Sequence, residues 1–395
     1  MKGPFSIWAF FGLTLWIDIL THIFILKKED KINPYAPLKQ VSVIIPIHKE
    51  PKEYLEKTII ALFDEKYPIK NIVLCGDSES LFGLETVQML SKNYNNLWYI
   101  ESPYKSKAKK INYVAKNFKD VGEFLYVRDC RVVGKKDTIE KMMSYFNSDN
   151  VAAVTSYGRV SIPKNYFSRA YFYGKAWINE VGRFRKNAQE KRKAVFVICG
   201  ASTIFRTEIL RKIPMSSGTK TEDTHYTWIL QKKGYKIRVA DDAIVSAPEV
   251  DGEGMDGIKA QLKQAYRWSS GTIQCIYREG PELFKNKRLT WTTITPGFIE
   301  AVMYAIPLFL LPLLFFIYPK YAIGFFIGDT VFSLLGTLII LPKKFIKTLI
   351  HYPEIIFFKY LNALVFVFAL TAVTYQAAAN KTSSWANEWI PPKTD

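Results

Sequence analysis

Four apolar stretches most constrain what this chain can fold into. Residues 5–26, 294–318, 321–341 and 355–379 are each long enough to cross a bilayer as a helix at about 1.5 Å per residue. Between the first and the second lies a stretch of mixed polarity with the character of a folded aqueous domain. The chain is therefore expected to hold an N-terminal transmembrane helix at 1–30 and an aqueous domain at 31–290 that includes interfacial helices. Three transmembrane helices at 291–380 and a tail at 381–395 complete the expected organisation. No small-residue cleavage pattern precedes the Lys27-Lys28-Glu29-Asp30 run, so the first span reads as an anchor and not as a cleaved signal.

Basic residues set the orientation. Lys27, Lys28 and Lys31 follow the first span, and Lys343, Lys344 and Lys347 lie between the third and fourth. The positive-inside rule places both groups, and the large domain with them, in the cytoplasm of a multi-pass cell-membrane protein. The tail is then outside. The net charge of +18 is spread through the central domain. It suits a domain lying against an anionic leaflet and handling a phosphorylated ligand, as well as it would suit nucleic acid. Cys75, Cys130, Cys199 and Cys275 are scattered without a C-x-x-C pair, which argues against a structural zinc site or a disulfide framework.

Within the aqueous domain, residues 41–47 (VSVIIPI) read as a buried parallel strand closed by Pro46. A helix over 54–63, a strand at 71–75, a helix over 81–94, a strand at 97–100, a helix over 108–118 and a strand at 124–127 follow. This alternation predicts a doubly wound α/β sheet, in which ligands bind beyond the carboxyl ends of the strands. Glu50, Asp77 and Asp129 stand at those ends. The second half is less regular. A helix over 167–184, a short strand at 195–198 running into CGAST, a helix from Glu222, a strand in YKIRVA and a helix over 258–277 are expected.

Several groups carry chemistry, each beside a plainer reading. Asp77 in CGDSES can cap the following helix or bind a ligand. Glu222 and Asp223 open a helix, where carboxylates satisfy free N–H groups, yet Asp223 could equally serve as a general base. Gln264, Arg267 and Trp268 share a helix face that offers an amide, a fixed cation suited to phosphate and a broad ring. The same face would also suit a helix lying on a membrane surface. His48 and His225 lack a second metal ligand at helical spacing and read as packing or hydrogen-bonding residues. Asp18 and His22, four apart in the first span, share one face. They would contact another span, line a product route, or pair with each other.

Taken in order, VSVIIPIHKE, CGDSES, SKAKKIN, RDC, CGAS, TED and QAYRW resemble the family 2 glycosyltransferases, above all the processive membrane synthases such as cellulose and hyaluronan synthases. The resemblance covers about residues 40–275. It implies a GT-A-like cytoplasmic domain, a Rossmann-type mixed sheet, beside α-helical transmembrane segments. It also implies roles. Glu50, Asp77, Lys107, Asp129, Gln264 and Arg267 would bind the donor. Cys199, Gly200, Glu222 and Trp268 would touch the acceptor, and Asp223 would be the catalytic base. The implied reaction is an inverting hexosyl transfer from a nucleotide-sugar, a UDP-sugar by resemblance, that extends a β-linked polysaccharide and couples extension to export. A ceramide glucosyltransferase-like enzyme acting on a membrane lipid is the alternative, because four spans are few for an export channel. A non-catalytic scaffold is a third reading. The implied partners are the nucleotide-sugar, a saccharide or lipid acceptor and membrane lipids, with no nucleic acid.

The family uses Mg²⁺ or Mn²⁺, held partly by the second aspartate of an Asp-x-Asp motif. Here that position is Arg131. Asp129 could hold a metal with the diphosphate and water, or Arg131 could supply the positive charge itself. Loss of catalysis would be the third outcome.

Overall fold

Val41–Pro46 (β1) is buried at all six positions, as a strand covered on both faces must be. The computed structural model describes residues 13–24, 30–35, 38–80, 82–160, 166–246 and 254–382. In chain order the helices used below are α1 (Leu13–Phe24), α2 (Lys52–Phe63), α3 (Gly83–Leu90), α4 (Lys107–Asn117), α5 (Thr138–Met143) and α6 (Tyr166–Lys191). They continue with α7 (Thr207–Lys212), α8 (Glu222–Lys232), α9 (Gly254–Glu279), α10 (Thr295–Ile317), α11 (Pro319–Ile340) and α12 (Tyr352–Ala378). The strands after β1 are β2 (Ile69–Gly76), β3 (Leu97–Glu101), β4 (Phe124–Arg128), β5 (Val133–Gly134), β6 (Val151–Arg159), β7 (Ser202–Arg206) and β8 (Lys236–Ser246).

The chain divides into two compact units. One is built within Glu29–Arg159 and Val197–Pro248, the other within Met1–Lys28, Val160–Phe196 and Glu249–Thr382. The first unit is a mixed sheet in the order β3-β2-β1-β4-β7-β6-β8-β5. β1 lies parallel to both β2 and β4, whereas β7 runs antiparallel to β4 and β6. The strand order reverses beside β1, because β1–β3 are laid down in one direction and β4 is added on the other side. Such a switch point opens a crevice beyond the carboxyl ends of β1 and β4. The main core is Val41, Val43 and Ile45 of β1 packed with Leu55, Ile59 and Leu62 of α2 and with Tyr126, Ile139 and Phe146. This is the GT-A-like mixed sheet that the sequence implied.

One expectation fails in the second half of the 31–290 stretch, and one strand there was not foreseen. Residues 195–198 form no strand. The Phe196 N–H donates to Gln189 Oε1 at 3.1 Å, and the Ile198 N–H donates to Thr227 Oγ1 at 3.1 Å. Side chains take the donors that a neighbouring strand would need, and the strand falls later, at β7. The unforeseen β6 is buried at its first seven positions and joins β7 to β8.

The second unit is helical. α6 and α9, assigned by sequence to the 31–290 domain, belong here. Among the described residues two helices are long and apolar enough to cross a membrane, Ala322–Ile340 and Tyr352–Ala378. α10 coincides with the apolar stretch 294–318. Thr14–Phe24 is a shorter apolar helix, and residues 5–12 and 25–26 of the 5–26 stretch lie outside the described residues. Asp18 and His22 do not pair with each other. Asp18 is gripped by Arg192 Nη2 at 2.6 Å and by Arg185 Nε at 2.9 Å, and His22 Nδ1 lies 3.2 Å from Lys191 Nζ. Arg185 and Lys191 are on α6 and Arg192 directly follows it, so α1 is tied to the C-terminal end of that helix by charge. Gly174 of α6 packs against Phe358 of α12 where a Cβ would collide. Asp329 and Lys359, which sequence reading passed over, pair at 2.7 Å between α11 and α12.

Candidate active site

The carboxyl end of β2 delivers Asp77, which is 4% exposed and almost saturated with donors. Its Oδ2 accepts from Lys110 Nζ at 2.6 Å and lies 2.7 Å from His48 Nδ1. Its Oδ1 accepts the Glu79 N–H at 2.9 Å. A carboxylate offers about four acceptor positions, and three are already taken. Burial alone would raise its pKa. Lys110, the Glu79 N–H and His48 outweigh burial and hold the carboxyl below its usual range. Lys110, 1% exposed, also donates to the Ile47 carbonyl at the end of β1. One buried ammonium therefore ties the ends of two strands together. Glu50, the other predicted donor-binding acid at this end, accepts the His48 N–H. Burial raises its pKa against that bond.

A second cluster forms where α4 begins. Lys107, the first residue of α4, donates from Nζ to the Asp129 carboxylate at the end of β4 and to the Gly200 carbonyl, the latter at 2.8 Å. The Asp129 N–H donates to the Ala201 carbonyl at 3.0 Å. The Cys199–Ala201 loop is pinned from behind. The Cys199 N–H donates to Thr155 Oγ1 at 2.6 Å, and Thr203 Oγ1 donates to the Cys199 carbonyl at 2.7 Å. Burial disfavours the Lys107 charge, but Asp129, Glu222 and Asp223 together raise its pKa above the usual value. One ammonium thus stands in the field of three carboxylates.

Asp223 sits in the first turn of α8. The Thr224 N–H donates to its Oδ1 at 2.8 Å, which is the helix-terminus role foreseen for it. Among the described residues Oδ2 receives no donor and faces Gly200. A Cβ built on Gly200 would lie 2.6 Å from Oδ2 and 3.2 Å from Cγ. Gly200 thus has two functions: its carbonyl holds Lys107, and its bare Cα gives room to the free oxygen of Asp223. Glu222 is buried beside it.

Arg131 places its guanidinium 5.0 Å from the centre of the Tyr54 ring on α2. Among the described residues no group of three or more His, Cys, Asp or Glu is placed to hold a metal ion.

The structure brings Lys107, Asp129, Cys199, Gly200, Glu222 and Asp223 together, and links Asp77 to Glu50 through Lys110 and His48. Gln264, Arg267 and Trp268 belong to the helical unit, on α9. There Gln264 Oε1 accepts from Lys175 Nζ at 3.2 Å, and Trp268 is 47% exposed. Sequence reading missed Lys110 and Lys175. Lys110 follows Lys107 by one helical turn, so its spacing was a usable signal. Lys175 had none.

Residues 37–271 match the family described as "Glycosyltransferase like family 2". A cellulose synthase catalytic subunit (UDP-forming) of Xanthomonas axonopodis pv. citri is 23% identical over 266 residues, 63% of this chain and 34% of that protein. A poly-beta-1,6-N-acetyl-D-glucosamine synthase of Staphylococcus aureus is 23% identical over 270 residues, 67% of this chain and 61% of that protein. An uncharacterized glycosyltransferase of Escherichia coli, YaiP, is 37% identical over 83 residues, 21% of this chain and 20% of that protein. The chain thus aligns with less than two thirds of the length of each of these relatives. Among solved structures, the mannosyltransferase PcManGT from Pyrobaculum calidifontis, in complex with GDP-Man and Mn²⁺, superposes with a TM-score of 0.64 at 15% identity. The superposition covers 94% of this chain and 98% of that one. The match spans more than half of the sequence and includes both carboxylate clusters, and the fold agrees with it: the chain is a glycosyltransferase of family 2, homologous to polysaccharide synthases.

Proposed function

We propose that this enzyme is an inverting glycosyltransferase, anchored in the cell membrane by several spans with its sheet unit in the cytoplasm, that transfers a hexosyl group from a nucleotide-sugar. The observation that carries the proposal is the free Oδ2 of Asp223 beside Gly200, next to the Lys107–Asp129 pair. Asp223 takes the proton of an acceptor hydroxyl, whose oxygen bonds to the anomeric carbon. The bond from that carbon to the diphosphate oxygen breaks, and the nucleoside diphosphate leaves with the electron pair. Lys107, held by Asp129, offers positive charge to the leaving group, and positioning supplies much of the remaining barrier lowering. Asp77 and Glu50 are assigned to the nucleoside, and Cys199, Gly200 and Glu222 to the acceptor. Gln264 and Arg267 are assigned to the diphosphate, and Trp268 to a sugar ring.

The donor set suits a divalent cation only when a donor is bound. Asp129 is a single carboxylate, already bonded to Lys107, and Mg²⁺ or Mn²⁺ would need phosphate oxygens and water beside it. Such an ion would add charge neutralisation at the diphosphate.

The relatives that make cellulose and poly-N-acetylglucosamine favour a UDP-sugar donor and a growing β-linked polysaccharide, with export through the membrane helices. A second reading, one sugar placed on a membrane lipid, is favoured by the four apolar stretches of spanning length, which are few for an export channel. The test is a donor screen on detergent-purified protein that follows nucleoside diphosphate release, with products resolved by size. High polymer supports the first reading, and a single sugar on an organic-soluble lipid supports the second. Asp223→Asn should lower transfer by about 10²–10⁴-fold with donor binding nearly unchanged. A fully active variant removes Asp223 as the base.

A further inference from the structure

Lys175 of α6 is held by neutral side chains among the described residues. Its ammonium donates to the side-chain oxygens of Gln261 and Gln264, both on α9, the second at 3.2 Å. It also lies 5.7 Å from the ring centres of Phe172 and Trp268. Among the described residues no carboxylate pairs with it. Neutral amide oxygens orient the ammonium but leave its whole charge in place. Burial pushes its pKa down to about 8, so the surrounding protein does little to offset that charge. A partly buried charge is tolerable when an anion completes its shell. Gln261, Gln264 and Trp268 occupy neighbouring turns of one helix face, so ammonium, amides and indole lie side by side, with Gln261 buried and Trp268 exposed.

We propose that Lys175 is a phosphate-binding residue, which with the side-chain amides of Gln261 and Gln264 receives a phosphate group of a substrate beside Trp268. The inference deepens the proposed function and rests on its phosphate-bearing substrates. Two sources share this chemistry, the diphosphate of a nucleotide and the phosphate headgroup of a lipid. Lys175 gives the group a charge-assisted hydrogen bond, and its bond to Gln264 fixes the amide of the Q-x-x-R-W segment.

The full chain, in nanodiscs, is tested as wild type, Lys175→Met and Lys175→Arg. One arm measures affinity for UDP and GDP by calorimetry. The other compares binding of a phosphatidic acid probe in phosphatidylcholine nanodiscs. Loss of a charge-assisted bond should weaken binding about tenfold or more in the Met variant, with the Arg variant within a few-fold of wild type. Weakening in the nucleotide arm assigns the phosphate to the donor, and weakening in the lipid arm assigns it to a headgroup. Met and wild type binding alike in both arms overturns the proposal, as does a loss that arginine leaves unrestored. If wild type binds neither nucleotide, the proposed function fails and the lipid arm alone decides the role of Lys175. Lys175→Gln, which keeps a polar contact to the two amides, replaces the Met variant should that one not fold.

Discussion

Substituting Gly200 by alanine adds one methyl group at the most crowded point of the candidate site. That carbon would meet Asp223 Oδ2 at 2.6 Å, about 0.8 Å inside ordinary contact at 3.4 Å, and would press on Asp223 Cγ at 3.2 Å and Cβ at 3.3 Å. Gly200 is not among the residues with positive φ, so alanine meets no backbone penalty there. The thermal midpoint should therefore move little, and the strain should fall on the carboxylate. A displacement approaching 1 Å of a reacting group costs on the order of 10²-fold in rate. The assay is nucleoside diphosphate release with acceptor present, read beside donor affinity. Turnover should fall about 100-fold, with affinity for the donor within a few-fold of wild type. Because the methyl acts through Asp223, adding it to Asp223→Asn should cost little further, a strongly non-additive cycle. Wild-type turnover in Gly200→Ala, or simple additivity with Asp223→Asn, would refute the argument that Gly200 exists to seat that oxygen.

Lys110→Met leaves the Asp77 carboxylate buried without its ammonium, so stability should drop by about 3–5 kcal/mol in denaturant unfolding. Because the Asp77 carboxyl is held below its usual range, its contribution is full above the unfolded value of about 3.9 and is lost as pH falls through the lower folded value. The acid limb of the unfolding curve should therefore flatten in Asp77→Asn. Glu65, whose carboxyl burial pushes up to about 7, predicts the opposite sign. Its side chain is 1% exposed and only 4.0 Å from Arg128, so the folded state keeps a proton that the unfolded chain releases between about 4.5 and 7. Glu65→Gln should thus gain roughly 3 kcal/mol above pH 7 and nothing below pH 4, read by thermal unfolding across pH. Chelation should slow turnover without abolishing it if Lys107 already offers charge to the diphosphate, and complete loss with EDTA would show that the metal is indispensable.

What the sequence revealed follows from how each feature is encoded. The strands β1–β4 were legible because each is a continuous apolar run ending in a turn residue or a charge, and both carboxylate clusters lie at those ends. The order of the motifs then pointed to Asp223 and Gly200, although only the folded structure seats one against the other. Residues 195–198 failed because an apolar run records burial and not who takes the backbone hydrogen bonds. Gln189 and Thr227, outside that run, take two of them. Lys110 was missed because a lysine in a Lys-Lys pair reads as solvated, and its burial is decided by Asp77, 33 residues earlier. The same limit hid the division of the chain. α6 and α9 flank the sheet strands in sequence but join α1 in a helical unit, through Asp18 with Arg185 and Arg192 and through Lys175 with Gln261 and Gln264. Each of these bonds joins residues 86 or more apart in sequence, so no local pattern announces it. Periodicity locates faces, and long-range charge pairing decides which faces meet. Asp129 shows the same limit. Beside the missing second aspartate, the cation that already sits on Asp129 is Lys107, 22 residues away and on another element.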